Sequence, residues 1–188
     1  MSNSVSKRIE KYLYDNRPKR SPDIESAILE TPEDRVENIC AYASKVIGGR
    51  WLEAEPIILD GGIDTIAKYL RDVVKGKWPE AEPVILEKGT LEDAMFYATN
   101  VLGYRWPEFE KKLFDNFRQL IDSRDKCDPE DCDEMLKRFQ QWWKLNLILE
   151  MYIAGVIKER WEEAENIIKE AELTVKFEYY EKTGIEIK

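Results

Sequence analysis

Histidine is absent from the 188-residue sequence. Because a Ser-His-Asp triad, a Cys-His dyad and a metal centre with an imidazole ligand all need this residue, those sites are excluded. The motifs GxxxxGKS/T, GxGxxG and GxSxG are also missing. Among 38 acidic residues, no carboxylate pair can be singled out for acid–base chemistry. The sequence therefore predicts a protein that is not an enzyme, with no catalytic residue, no metal and no cofactor.

Cysteine and long apolar runs are scarce. The three cysteines, Cys40, Cys127 and Cys132, are too few for a disulfide-stabilised secreted scaffold, so free thiols are expected. No apolar run approaches the roughly 18 residues of a membrane-spanning helix. The N-terminal stretch MSNSVSKRIEKYLYDN has no apolar signal-peptide core. These absences favour a cytoplasmic protein without membrane contacts.

Basic residues are outnumbered by acids, 29 to 38, which gives a formal charge of −9. This balance argues against binding to nucleic acid or to an anionic membrane, since both need clustered cations. One basic stretch is the exception and would suit either an anionic partner or a charged terminal cap: Lys7, Arg8, Lys11, Arg17, Lys19 and Arg20. An acidic run over residues 122–134 lacks the glycine and spacing of an EF-hand, so a solvated loop is expected there.

Tryptophan reveals an internal repeat. Trp51, Trp78, Trp106 and Trp161 are separated by 27, 28 and 55 residues. Each follows a basic residue, namely Arg50, Lys77, Arg105 or Arg160. The flanking sequences agree: AYASKVIGGRWLEAEPIIL, AKYLRDVVKGKWPEAEPVIL, MFYATNVLGYRWPEFEKKLF and MYIAGVIKERWEEAENIIK. A diverged first copy has Ser21 in place of tryptophan, and a weaker sixth copy is centred on residues 127–130.

Each copy predicts two helices. An apolar stripe at helical spacing forms the first helix, and glycine ends it, at Gly48, Gly76 or Gly103. The second helix begins after the tryptophan, with proline at its first position in the copies of Trp78 and Trp106. Pro56 and Pro83, further on, are expected to kink or restart that helix.

The predicted fold is all-α, a single domain over residues 1–188. Two-helix copies need neighbours to bury their apolar faces, so five to six repeats should stack as an α-solenoid-like array or a compact bundle. The expected units cover residues 9–32, 36–60, 63–88, 91–114, an irregular 115–146, and 147–188. A long irregular helix is predicted near residues 133–158, and another from Trp161 to about Lys182.

The recurring cation–tryptophan pair has two interpretations. In the first, the pair lines a groove in which bases stack on indoles, as in single-strand binders. Alternatively, the indole fills the space between repeats while the cation pairs with acids of its own repeat or a neighbour, such as Glu53, Glu80, Glu108 and Glu163. The structural interpretation is favoured, because the acids recur as faithfully as the bases.

The irregular stretch contains the candidate partner-binding residues. Trp142 and Trp143 are adjacent, about 100° apart on a helix, so one should be less buried than the other. Leu136, Phe139, Trp143 and Leu147 form one apolar stripe, and a second contains Trp142, Leu145, Leu149 and Tyr152. An acidic loop precedes them, with Asp128, Glu130 and Asp131 as further candidates. Tryptophan beside a charged rim is typical of protein interfaces.

The motif RWLEAEPII, KWPEAEPVI, RWPEFEKKL and RWEEAENII, with tyrosine nine residues before the tryptophan, resembles a short helical repeat of accessory proteins from large tailed bacteriophages. The resemblance covers residues 9–29, 39–114 and 147–169. It implies an α-helical repeat protein acting in the cytoplasm of an infected bacterium, and it implies no catalytic residues.

The sequence thus favours a non-enzymatic protein–protein interaction module. The resemblance adds a host or defence factor as its target, and a homodimer is a further possibility. An alternative is an acidic nucleic-acid mimic that blocks a DNA- or RNA-binding protein. A third hypothesis is a metal-dependent enzyme that uses carboxylates alone.

Overall fold

The structure is a computed structural model that describes residues 2–15, 19–123, 132–159, 161–170 and 183–184. Helix accounts for 76% of these residues, and they contain no strand. The prediction of an all-α fold is confirmed. None of the described helices has the length and apolar character needed to cross a membrane.

Within the described residues the helices follow one another as five consecutive pairs, which we number as repeats 1 to 5 after the sequence copies that they contain. The first helices of the pairs are α1 (Ser2–Leu13), α3 (Arg35–Tyr42), α5 (Ile63–Tyr69), α7 (Leu91–Tyr97) and α9 (Cys132–Val156). The second helices are α2 (Pro22–Glu30), α4 (Glu55–Asp60), α6 (Glu82–Lys88), α8 (Pro107–Asp122) and α10 (Glu162–Glu170).

The chain divides into two compact halves, residues 1–89 and 90–188. The N-terminal half holds repeats 1 to 3, and the C-terminal half holds repeats 4 and 5. A single domain over residues 1–188 stays a prediction. The helix predicted from Trp161 to about Lys182 is present as α10, and residues 171–182 lie outside the described residues.

Proline decides where the second helices of repeats 3 and 4 begin. In repeat 3, Pro79–Ala81 form a turn and α6 starts at Glu82, so the prediction that Pro79 is the first helical residue is wrong. Pro83 has no N–H to donate to Pro79, which prevents an unbroken helix from Pro79. In repeat 4, Lys111 stands in the place of Pro83, and α8 runs from Pro107 without interruption, as predicted.

The first helices of repeats 2, 3 and 4 end in a π-helical turn that the sequence does not predict. The turns are Ala43–Ile47, Leu70–Val74 and Ala98–Leu102, each beginning directly after a tyrosine. A residue with positive φ follows each turn: Gly48 at 76°, Lys75 at 54° and Gly103 at 67°. In repeat 3 the left-handed position is therefore Lys75 and not the predicted Gly76. It is fixed by the bond from the Lys75 N–H to the Leu70 carbonyl at 2.7 Å.

All four repeat tryptophans lie in the core. Trp51, Trp78, Trp106 and Trp161 are at most 4% exposed. The tyrosine nine residues before each one packs against it, with ring centroids 4.9 to 5.6 Å apart. This burial is the arrangement expected if the indole fills space between helices.

Candidate functional site

A cluster of four groups joins repeat 4 to repeat 5. The Arg105 guanidinium donates to both carboxylate oxygens of Glu110, at 2.9 and 2.6 Å. The Tyr152 hydroxyl, from α9, donates to Glu110 at 2.7 Å and accepts the backbone N–H of Trp106 at 2.8 Å. We call this arrangement the junction cluster: a cation, the glutamate five residues later, the N–H after the cation, and the next repeat's tyrosine.

The same cluster recurs in the N-terminal half. Between repeats 1 and 2, Arg20 pairs with Glu25, and Tyr42 donates to Glu25 while accepting the Ser21 N–H. The cluster keeps the N–H contact where Ser21 replaces tryptophan, because that contact uses only the backbone. Between repeats 2 and 3, the Arg50 guanidinium holds Glu55 at 2.7 and 2.6 Å, and Tyr69 accepts the Trp51 N–H.

The cations pair mostly with other glutamates than those that the sequence predicts. Within a repeat, the partners are Glu25, Glu55, Glu82 and Glu110, five residues after the cation, and not Glu53 or Glu108, three residues after it. Glu80 pairs with Arg50 of the preceding repeat at 3.1 Å, which is the pairing between neighbouring repeats that the sequence allowed. Arg160 lies outside the described residues, so the pair expected with Glu163 is not described.

Two of the arginines also lie over the next repeat's tryptophan. Arg50 is 5.8 Å from the Trp78 ring centroid, and Arg105 is 4.9 Å from that of Trp161. Stacked and paired in this way, both arginines contribute to packing between repeats. At Arg50 and Arg105, these contacts agree with the structural interpretation of the cation–tryptophan motif.

The junction contacts also define the repeat order across the irregular stretch. The Trp106 backbone N–H donates a hydrogen bond to the Tyr152 hydroxyl, and the Arg105 guanidinium stacks on the Trp161 ring. Repeat 5 therefore packs directly against repeat 4. The residues between Phe114 and Leu147 lengthen α8 and α9 instead of forming a sixth pair within the described residues. Residues 127–130, the centre of the expected sixth copy, lie outside them. The predicted long helix is confirmed as α9, Cys132–Val156.

Burial shifts the ionisation of the cluster tyrosines. It raises the pKa of Tyr42 and of Tyr69 to about 12, and it also raises the pKa of Tyr152. The guanidinium of Arg20 lowers the pKa of the Glu25 carboxyl, despite its partial burial. In the clusters of Glu25 and Glu110, the tyrosine and the arginine both contact the glutamate at the repeat junction.

We expect the free energy of unfolding to fall as pH rises from about 10 to 12. The folded chain keeps its phenol protons to higher pH than the unfolded chain, whose tyrosines ionise near 10. Stability is thus complete below pH 10 and declines by about 1.4 kcal/mol per pH unit for each such tyrosine. Urea unfolding between pH 8 and pH 11 measures the decline. Equal values at both pH limits would contradict it, and Tyr69→Phe should reduce the slope.

Beyond the repeat junction, α9 presents an exposed apolar surface. Five side chains at helical spacing are 46 to 63% exposed, and together we call them the α9 stripe: Leu136, Phe139, Trp143, Leu147 and Met151. They span about 22 Å along the helix axis. The stripe that the sequence predicts contains the first four of these residues, and the structure adds Met151.

The two adjacent tryptophans differ in burial, as expected from their angular separation. Trp143 is 62% exposed, whereas Trp142 is half-buried. The other members of the second predicted stripe, Leu145, Leu149 and Tyr152, are buried. The remaining partner-binding candidates, Asp128, Glu130 and Asp131, lie outside the described residues.

The buried side of α9 packs alongside α7. Lys144 pairs with Glu92 at 2.6 Å. Eleven residues further along α9, a Cβ added at Gly155 would lie 2.8 Å from the Thr99 side chain. Because the second contact lies closer to the C-terminus than the first along both segments, α9 and α7 run parallel. These contacts hold α9 in place while its opposite side stays open to solvent.

The basic N-terminal stretch lies at the other end of the chain. Lys7, Arg8 and Lys11 line an open cleft of about 880 Å³. Arg20 belongs to the junction cluster with Glu25. Arg17 is outside the described residues.

The described part of the chain contains no group of three or more Cys, Asp or Glu side chains placed to hold a metal ion. Cys40 is a free buried thiol, and burial raises its pKa to about 11. The side chains of Cys127 and Cys132 are outside the described set.

No protein-family model, curated protein or solved structure matches this chain.

Proposed function

We propose that the protein is a non-enzymatic interaction module that binds another protein through the α9 stripe. The observation that carries this proposal is the exposure of five large apolar side chains in one row. Trp143, at its centre, is 62% exposed. Isolated apolar residues are common on protein surfaces, but a contiguous row is typical of an interaction site.

The size of the stripe supports this interpretation. At roughly 100 Å² for each half-exposed large apolar side chain, five of them present about 500 Å². Patches of about 300–600 Å² are the largest on a typical monomer and are often functional. Tryptophan, the residue at the centre, is enriched among the residues that dominate binding energy.

The burial and hydrogen bonding of the junction cluster support a structural rather than a chemical role for the repeat motif. Glu110 is 5% exposed and receives hydrogen bonds from both Arg105 and Tyr152. A carboxylate that is buried and hydrogen-bonded in this way stabilises the packing of two repeats. Function is therefore assigned to the surface that packing leaves open.

The resemblance to phage accessory proteins extends the proposal to the identity of the partner. On that basis the target is a host or defence factor in the cytoplasm of an infected bacterium. The physical argument from the stripe specifies only a protein with an apolar surface of matching length.

The test compares three tagged proteins in an extract of bacterial cells. Wild type and Leu52→Ser, which alters an exposed apolar residue in the N-terminal half of the chain, should retain the same partner. The double variant Trp143→Ser/Leu147→Ser should lose it, by about tenfold or more in the amount retained. Equal retention by all three proteins would reject the stripe as the binding surface. Helical content, measured by circular dichroism, should be unchanged in both variants.

A further inference from the structure

We propose that, in the free protein, the α9 stripe is covered by the α9 stripe of a second copy of the chain. The two helices would pair antiparallel about a two-fold axis at Trp143. This inference rests on the proposed function, because it takes the stripe to be an association surface, and it names the occupant in the absence of another partner.

The spacing of the stripe residues along α9 is nearly the same in both directions from Trp143. Trp143 is the third of five residues, with Phe139 and Leu147 four positions away on either side. Leu136 and Met151 lie seven and eight positions away. An antiparallel pair would therefore place Trp143 against Trp143, Phe139 against Leu147, and Leu136 against Met151. A two-fold interface requires such a self-complementary surface.

The area is sufficient for a specific dimer. Two stripes of about 500 Å² bury roughly 1,000 Å² between them, which reaches the lower limit for a specific interface. Flanking side chains on α9 add to this area, among them Gln140 and Ala154, both exposed. One stripe supplies only half of this area, so its partner must bury an apolar surface of equal size. A second copy of the chain provides that surface by symmetry.

Charge favours the same occupant. The chain as a whole carries −9, but α9 is neutral, with three acids and three bases: Asp133, Glu134, Glu150, Lys137, Arg138 and Lys144. Two α9 helices can therefore approach without the repulsion that net charge would cause elsewhere. Lys144, next to the centre, pairs with Glu92 of its own chain. A neutral face also gives no advantage to a strongly charged partner.

Sedimentation velocity on the purified full-length chain, over a wide range of concentrations, tests the proposal. Wild type and Leu52→Ser should reach a dimer and no larger species. Trp143→Ser should raise the dimer dissociation constant by about tenfold or more. Urea unfolding of the same samples, at a concentration where all are monomers, should give equal free energies for wild type and Trp143→Ser.

Three outcomes would overturn the second-copy assignment. They are a wild type that stays monomeric, a dimer that Trp143→Ser leaves intact, and assembly beyond a dimer. A monomeric wild type that loses its extract partner on Trp143→Ser/Leu147→Ser substitution would leave the proposed function standing. A monomeric wild type whose retention is insensitive to those substitutions would reject both proposals.

Discussion

Trp106→Ala should lower the free energy of unfolding by about 3–5 kcal/mol, the usual cost of deleting a large buried aromatic side chain. The Trp106 side chain is 4% exposed and packs on Tyr97, with ring centroids 5.3 Å apart. On its other side it stacks with Phe109 at 6.1 Å. Its backbone bond to Tyr152 survives the substitution, so the loss measures the indole alone. Urea unfolding followed by circular dichroism gives the value.

Trp143→Ala provides the matched control for this substitution. The same side chain is removed from the same half of the chain, but at a site 62% exposed. At a concentration where the protein is monomeric, the change should stay within about 0.5 kcal/mol. If Trp106→Ala left stability unchanged, the indoles would face solvent, and the groove interpretation of the cation–tryptophan motif would gain support.

Glu110→Ala should cost about 2–3 kcal/mol, because it removes the shared acceptor of the junction cluster between repeats 4 and 5. Arg105 and the Tyr152 hydroxyl would each lose their partner. The expected loss lies below the range for breaking a fully buried ion pair, since the Arg105 side chain, 35% exposed, can still reach water.

Glu108→Ala is the matched control, because it also removes a negative charge from the first turn of α8. Glu108 lies one residue into α8 and is exposed, so its removal should change stability by less than about 0.5 kcal/mol. Equal losses in the two variants would mean that charge near the start of α8, and not the junction cluster, accounts for the effect. A larger loss in Glu108→Ala would contradict the assignment of Glu110 as the buried partner.

The helix pairs could be predicted from the sequence because their signals are local. Apolar spacing and the recurrence of tryptophan are enough to locate first and second helices, and they also predicted α9 to within two residues at its C-terminal end. The start of α6 depended on a competition between two prolines, Pro79 and Pro83. Both suit the first turn of a helix, and the missing N–H of Pro83 moves the start of α6 from Pro79 to Glu82.

The junction cluster could not be predicted in full, because two acids recur with equal regularity after each cation. Glu53 and Glu55 both follow Arg50, and Glu108 and Glu110 both follow Arg105. Which of them is buried depends on how the second helix is rotated against the next repeat. The tyrosine that completes the cluster comes from that next repeat, 46 residues away in the case of Trp106 and Tyr152.

The candidate site was predicted in part. The sequence located the two apolar stripes of α9 and the difference between Trp142 and Trp143, since both follow from helical geometry. It did not predict which stripe is open. That depends on the packing of α7 and α8 against α9, and this packing buries Leu145, Leu149 and Tyr152.

The central claim, that the α9 stripe is where this protein associates with others, is tested most directly by photo-crosslinking in living bacteria. A benzoylphenylalanine side chain would replace Trp143 in one protein and Leu52, an equally exposed apolar residue in the N-terminal half, in another. We expect irradiation to yield covalent adducts from position 143 and none from position 52. Adducts from position 52 without any from position 143 would contradict the claim.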